Sequence, residues 1–177
     1  ARDLTDACRI ASDGGQGNRG GVRMELYTVN NPVFATYMIA AALMGLKIMG
    51  QGWMTVYRMM TSGSGLVNPE DIQKGPFNPA PDPAQLEIND YVDRSRRMHR
   101  NDLENIPAFW AVGLIYVAIA PPLWLAQGLM YGFVVMRLCH AVAYATRQTH
   151  ELRASFYTVG SLIVIAMALH VLAALLV

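Results

Sequence analysis

Cysteine is nearly missing from this chain: Cys8 and Cys139 are the only two in 177 residues. One stands in a polar stretch and the other in an apolar run, so neither a disulfide framework nor a metal-ligand cluster is expected. Net charge is scarce as well. It is +1 with the signs scattered, which leaves no basic footprint for nucleic acid. Charge disappears altogether over residues 154–177, where there is no Asp, Glu, Lys or Arg. A helix of a soluble bundle keeps a polar stripe toward water, and this stretch has none. At 1.5 Å per residue it is long enough to cross a hydrocarbon core of ~30 Å.

More than half of the sequence is apolar, and the apolar residues fall into four long segments. The spacing predicts an all-α integral membrane four-helix bundle occupying residues 24–177. Its spans are expected at about 32–60, 90–120, 123–147 and 152–177. Asn31 followed by Pro32 marks the first helix start, since Pro is favoured in the first turn. Pro121 and Pro122 close the second. Ala41 with Gly45, and Gly128 with Gly132, have the small-residue spacing that lets helices approach in lipid. Lys47 falls mid-span and is expected to point into the bundle. Pro107 removes a backbone hydrogen bond from the second helix.

The loop over residues 61–89 holds Pro69, Pro76, Pro79, Pro81 and Pro83, which predicts an extended cover without regular elements. Arg58, Lys74, Arg94, Arg96, Arg97 and Arg100 flank this loop or lie in it, and Arg147 and Arg153 flank the last connection. The excess of basic residues places both connections in the cytosol. Both chain ends then lie on the other side, and the four Arg of residues 1–23 run counter to that. Residues 1–23 form a separate polar, Gly-rich tail unable to build a core. The tail has no apolar run of signal-peptide length, and its acids argue against a transit peptide. Met24 reads as a natural start, with the tail as upstream sequence, a variant start or an extension.

The densest polar stretch is residues 94–107, RSRRMHRNDLENIP, which runs straight into apolar sequence. Residues three and four apart share a helix face, so Arg97, Arg100, Asn101 and Glu104 are expected on one side. Full charges entering a membrane-length helix are costly unless they face a wet cavity, a partner or a ligand. Arg137, His140 and Tyr144 share a face of the third helix, and Arg153 and Tyr157 share one at the start of the fourth. These groups could line a ligand site or build an interhelical salt-bridge network.

The order R-x-H-R-N-D-x-E-N-x-P at residues 97–107 resembles the second-helix signature of the MAPEG family, membrane enzymes of eicosanoid and glutathione metabolism. It looks most like the microsomal glutathione transferase branch. Asn68–Pro69–Glu70–Asp71 reads locally as a turn and also resembles the family's N-P-E-D motif, and Asn31–Pro32–Val33–Phe34 resembles its N-P-V-F opening. The resemblance covers about residues 31–172. It implies a glutathione site lined by Arg100, Asn101, Glu104, His140, Tyr144, Arg153 and Tyr157, with Arg153 as the residue that stabilises the thiolate. Arg58 matches a further family arginine in type but is about one residue out of register. Arg97 and Arg137 join the glutathione-binding set, with Asp71 and His99 in support.

Glutathione suits such a set chemically. It has two carboxylates for Arg forks, one ammonium for Glu104, and a thiol. No covalent nucleophile or metal is needed from the protein, because glutathione brings its own sulfur. The resemblance further implies a homotrimer with glutathione between protomers, in the endoplasmic reticulum or mitochondrial membrane. A lipophilic electrophile or lipid hydroperoxide would arrive through the membrane lipids. The expected function is that of a membrane glutathione transferase and peroxidase. Two alternatives are an accessory subunit of a larger membrane complex and a glutathione-dependent prostaglandin E synthase. In the synthase branch a Ser follows the catalytic Arg, whereas here Ala154 follows Arg153.

Overall fold

A computed structural model describes residues 26–176. The tail at residues 1–23, with Cys8 and Met24, lies outside the described residues. So does the support for an accessory role that the tail would offer. Four helices form the described chain: α1 (Pro32–Ser62), α2 (Asp90–Ala118), α3 (Leu123–Ala145) and α4 (His150–Leu176). The helix limits fall within two residues of those of the four long segments in the sequence.

Each helix starts and stops for a local reason. Asn31 caps α1, its Oδ1 accepting from Val33 N at 3.0 Å, with Pro32 in the first turn. Gly63 ends α1 in the left-handed region at φ 58°, a conformation that costs a side chain strain. Asn89 caps α2 by accepting from the Tyr91 and Val92 amides. Asp90 and Asp93 then complement the positive end of its dipole. α2 continues through Pro107 and stops ahead of Pro121 and Pro122. α3 ends in a Schellman turn: the Gln148 amide donates to Ala143 O at 2.9 Å and the Arg147 amide to Tyr144 O. The left-handed position of that turn is taken by Arg147, at φ 58°.

The loop departs from the expectation of no regular elements. It contains two short 3-10 turns, Pro69–Ile72 and Pro83–Leu86. Proline opens both, where its missing N–H is not needed and its φ is already set. Asp71 accepts from the Asn68 amide, and Asp82 from the Ala84 amide. Asn78 and Gln85 then clasp side chain to side chain across the loop.

The bundle core is built from Ala40, Met44, Ile106, Phe109, Tyr116, Met130, Phe133 and Met167, all with no exposed surface. Phe109 and Phe133 stack at 4.3 Å between ring centroids. Outside this core, Ile39, Leu43, Leu46, Leu162, Ile165, Leu169 and Leu172 point outward. So many large apolar side chains in the open are foreign to a soluble monomer. Three helices, α1, α3 and α4, are long and apolar enough to cross a membrane. α2 falls short by composition because Asp90 to Glu104 is charge-rich, and of those charges only Asp102 is fully buried and paired inside the bundle.

Small residues are used more selectively than their spacing suggests. Trp110 of α2 packs near Gly45 and donates its indole N–H to Ala41 O at 3.2 Å. Gly132 meets Ile163 of α4, whereas Gly128 meets nothing within 4 Å. The tightest approach is at Gly113, which the spacing did not single out. A Cβ there would stand 2.8 Å from the Tyr37 ring, and the Tyr37 hydroxyl donates to Trp110 O at 2.9 Å. Overpacking at such a contact costs about 1–3 kcal/mol. Gly113→Ala is therefore expected to lower the unfolding free energy read from a detergent-denaturation titration by that amount. The loss should shrink in a Tyr37→Ala background, where the obstructing ring is gone.

Candidate functional site

Lys47 points into the bundle, as expected, and its partner there is Asp102. The carboxylate of Asp102 takes the Lys47 ammonium on one oxygen and the Arg137 guanidinium on the other. Asp102 and Arg137 have no exposed surface, so three helices are joined at one buried anion. Removing Asp102 from such a cluster would strand two buried cations and be strongly destabilising. Nearer the charged end of α2, Gln51 donates to Ser95 O and Oγ, and Thr55 Oγ1 to Ser95 Oγ at 2.9 Å. On the α4 side, Ser161 Oγ donates to Asn105 Oδ1 at 2.8 Å.

A cleft of about 250 Å3 opens beside this cluster, among α2, α3 and α4. Asn101 and Glu104 come from α2, His140 and Tyr144 from α3, and His150, Arg153, Ala154 and Tyr157 from α4. Asn101 Nδ2 donates to the Tyr144 hydroxyl at 3.1 Å. The Tyr157 hydroxyl reaches Glu104 Oε2 at 3.4 Å, a long bond that a ligand could displace. The Arg153 guanidinium lies 4.6 Å from the centroid of the Tyr144 ring, a cation–π contact worth about 0.5–2 kcal/mol. His140 packs against the rings of both Tyr144 and Tyr157, and its buried Nδ1 has no hydrogen-bond partner. The cleft therefore presents one carboxylate, one guanidinium, two imidazoles, two phenols and an amide.

Of the eleven other residues expected with Arg153, five share its cleft and six do not. Asn101, Glu104, His140, Tyr144 and Tyr157 border the cleft with Arg153. Arg137 does not: it sits on Asp102 inside the bundle, with its Cζ 6.0 Å from the Tyr157 ring centroid. The alternative of an interhelical salt bridge holds for that residue. The single face expected for Arg97, Arg100, Asn101 and Glu104 also divides. Successive helical positions differ by about 100°, so Arg100 turns away from Asn101 and lies with His99 in a groove against Gly52 and Thr55 of α1. Arg97 folds back onto Asp90 at 2.7 Å, and with Arg94 holds that exposed carboxyl down at about 2. Arg58 is buried over the Tyr91 ring and donates to Tyr91 O.

Asp71 belongs to the loop, where it caps the first 3-10 turn. It also borders a larger groove of about 510 Å3 with Trp53, Met60 and Phe77. That groove holds none of the Arg, Glu or Tyr groups, so the smaller cleft is the candidate site. Sequence reasoning passed over Asp102 and His150. For Asp102 a signal existed, because a mid-span Lys47 requires an acid at matching depth. His150 gives no comparable signal: it reaches the cleft only because the Schellman turn folds α4 back on α3. Among the described residues no group of His, Cys, Asp and Glu could hold a metal ion.

Comparison with known proteins agrees with this architecture. Microsomal glutathione S-transferase 1 of Homo sapiens is 32% identical over 145 residues, covering 81% of this chain and 92% of the relative. The Sus scrofa protein of the same name is 30% identical over 145 residues with the same coverage. Prostaglandin E synthase of Homo sapiens is 28% identical over 146 residues, covering 81% of this chain and 91% of the relative. The family model described as MAPEG matches residues 35–173, which takes in all of the cleft residues. The chain belongs to the MAPEG family.

Proposed function

We propose that the chain is a membrane glutathione transferase that ionises the thiol of glutathione for attack on lipophilic electrophiles or lipid hydroperoxides. The observation that carries this reading is the Arg153 guanidinium held over Tyr144, in one cleft with Glu104, Asn101 and Tyr157. Within the cleft Glu104 can take one ammonium and Arg153 with the two phenols one anion, which suits the ammonium and thiolate of glutathione, while its carboxylates would draw on cations beyond this wall. Glu104 would take the ammonium, exchanging the long bond from Tyr157. The glutathione S-transferases among the relatives carry the same ligand in their names.

At about 250 Å3 the cleft is smaller than the ~300–1,000 Å3 of most small-molecule sites. In a homotrimer, the outward groove carrying His99 and Arg100 would approach the cleft of a neighbouring protomer and complete it. The apolar co-substrate would reach the sulfur from the lipid, whether in the endoplasmic reticulum or the mitochondrial membrane.

The prostaglandin E synthase reading keeps the same glutathione chemistry and is favoured by the human synthase among the relatives. Ala154 weighs against it, because it puts a methyl group on the cleft wall where the resemblance expects a Ser hydroxyl.

A thiol with pKa ~8.5 is only a few per cent ionised at neutral pH, and the thiolate is the nucleophile. Lowering that pKa by two units requires ~2.7 kcal/mol of preferential stabilisation of the anion. One guanidinium in a partly dry cleft, helped by a phenol hydrogen bond, is enough. Arg153→Leu should keep much of the glutathione affinity but lose the thiolate absorbance that follows glutathione addition. Its kcat/KM should fall about 10²–10³-fold, the usual loss when one group facing a developing anion is removed. Turnover at the parent's rate by Arg153→Leu would take Arg153 out of the mechanism.

Glu104→Gln tests the other end of the ligand. Charge-assisted bonds are worth ~1.5–3 kcal/mol, so glutathione binding read by calorimetry should weaken roughly tenfold to a hundredfold. Unchanged binding would leave Glu104 with no role beyond its contact with Tyr157.

A further inference from the structure

The charges lining the cleft cancel. α2 contributes Glu104, α4 contributes Arg153 and His150, and the remaining titratable groups are His140, Tyr144 and Tyr157. With the histidines neutral, this wall has no net charge to favour an anion. The excess lies behind it, where two cations, Lys47 and Arg137, share the one carboxylate of Asp102.

As a mere strut the cluster is over-supplied. One cation would suffice to join α2 to a neighbour, and a second without its own counter-charge is costly inside a membrane bundle. Arg137 also leaves its buried Nε and Nη1 without partners. It lies close to the cleft, 6.0 Å from the ring of Tyr157 and one turn before His140 on α3. A buried charge is little screened by salt, so its field reaches the cleft.

We propose that the Lys47–Asp102–Arg137 cluster is an electrostatic positioning device that biases the cleft toward an anion and so sets how readily the bound thiol ionises. It rests on the glutathione reading above and adds a second source of positive charge to Arg153. In the step it promotes, the S–H bond breaks, the electron pair stays on sulfur, and the proton leaves to water at the mouth of the cleft. Lys47 and Asp102 touch no substrate: they act through the field and through their hold on Arg137.

The test is the pH midpoint of thiolate absorbance in the purified, glutathione-loaded protein. Lys47→Met removes the excess charge and leaves a neutral Asp102–Arg137 pair. A unit charge roughly 10 Å away at an effective dielectric constant of ~20 moves a pKa by about one unit. Lys47→Met should therefore raise the midpoint by about half to one pH unit, and Lys47→Arg should restore it. Asp102→Asn adds net positive charge and should move the midpoint the other way. If Asp102→Asn fails to fold, the Lys47 variants decide the matter. A structural strut predicts no ordered shift with charge sign. A parent that forms thiolate with a midpoint unmoved by Lys47→Met overturns this inference and leaves the glutathione reading standing. A parent that forms no thiolate overturns both.

Discussion

Asp102 is the constraint on which the rest of the bundle depends. In lipid, the hydrophobic effect does little to choose one helix pairing over another, so directional contacts and close packing must do it. α2 supplies most of those contacts, although it is the least apolar of the four helices. Asp102 binds α1 through Lys47 and α3 through Arg137. Trp110 and Tyr37 lock α2 to α1, and Asn105 holds α4 through Ser161. Once Arg137 is pinned, the rotation of α3 is set. His140 and Tyr144, three and seven residues further on, must then face the cleft.

The helices were legible in the sequence because their limits depend on local chemistry. Asn31–Pro32, Asn89–Asp90 and Pro121–Pro122 act within a turn of where they stand. Lys47 was legible too, since no mid-span ammonium can face lipid cheaply. The loop was legible in part: a turn stands at Asn68–Asp71 as expected, whereas the 3-10 turn opened by Pro83 was missed because proline there was taken only as a breaker. The candidate cleft was legible in part. Spacing by three and four groups residues onto a face, but it does not say which side of α2 that face looks toward. Arg100 and Asn101 carry similar polar signals and lie on different sides. Arg137 looked like its neighbours His140 and Tyr144, and only the position of Asp102 shows that it turns inward.

The two ends of α3 differ in a way that bears on the site. Its start is fixed by Pro121 and Pro122, which follow the end of α2 directly. Its end is a hydrogen-bonded reversal that brings the first turns of α4 back over the last turn of α3. This turn is what allows Arg153 to lie on Tyr144, nine positions earlier in the chain. A left-handed residue other than Gly or Asn costs roughly 1–2 kcal/mol, and Arg147 occupies that position. The strain is local to a connection whose geometry sets the distance between the guanidinium and the phenol.

The same two tyrosines keep the opposite charges of the cleft from neutralising each other. Among the described residues neither Arg153 nor Glu104 takes part in an ion pair. A direct Arg–Glu bridge across so small a cleft would satisfy both groups and close it to a ligand. Instead Arg153 rests on the face of Tyr144, and Glu104 receives the hydroxyl of Tyr157. Both contacts are weaker than an ion pair in a partly dry site, so a zwitterionic ligand can replace or join them without breaking a salt bridge. The buried charges follow the opposite rule, with every formal charge of the cluster held on Asp102 and none open to exchange. One carboxylate thus fixes the scaffold, while the other, a half-turn along α2, is left available for binding.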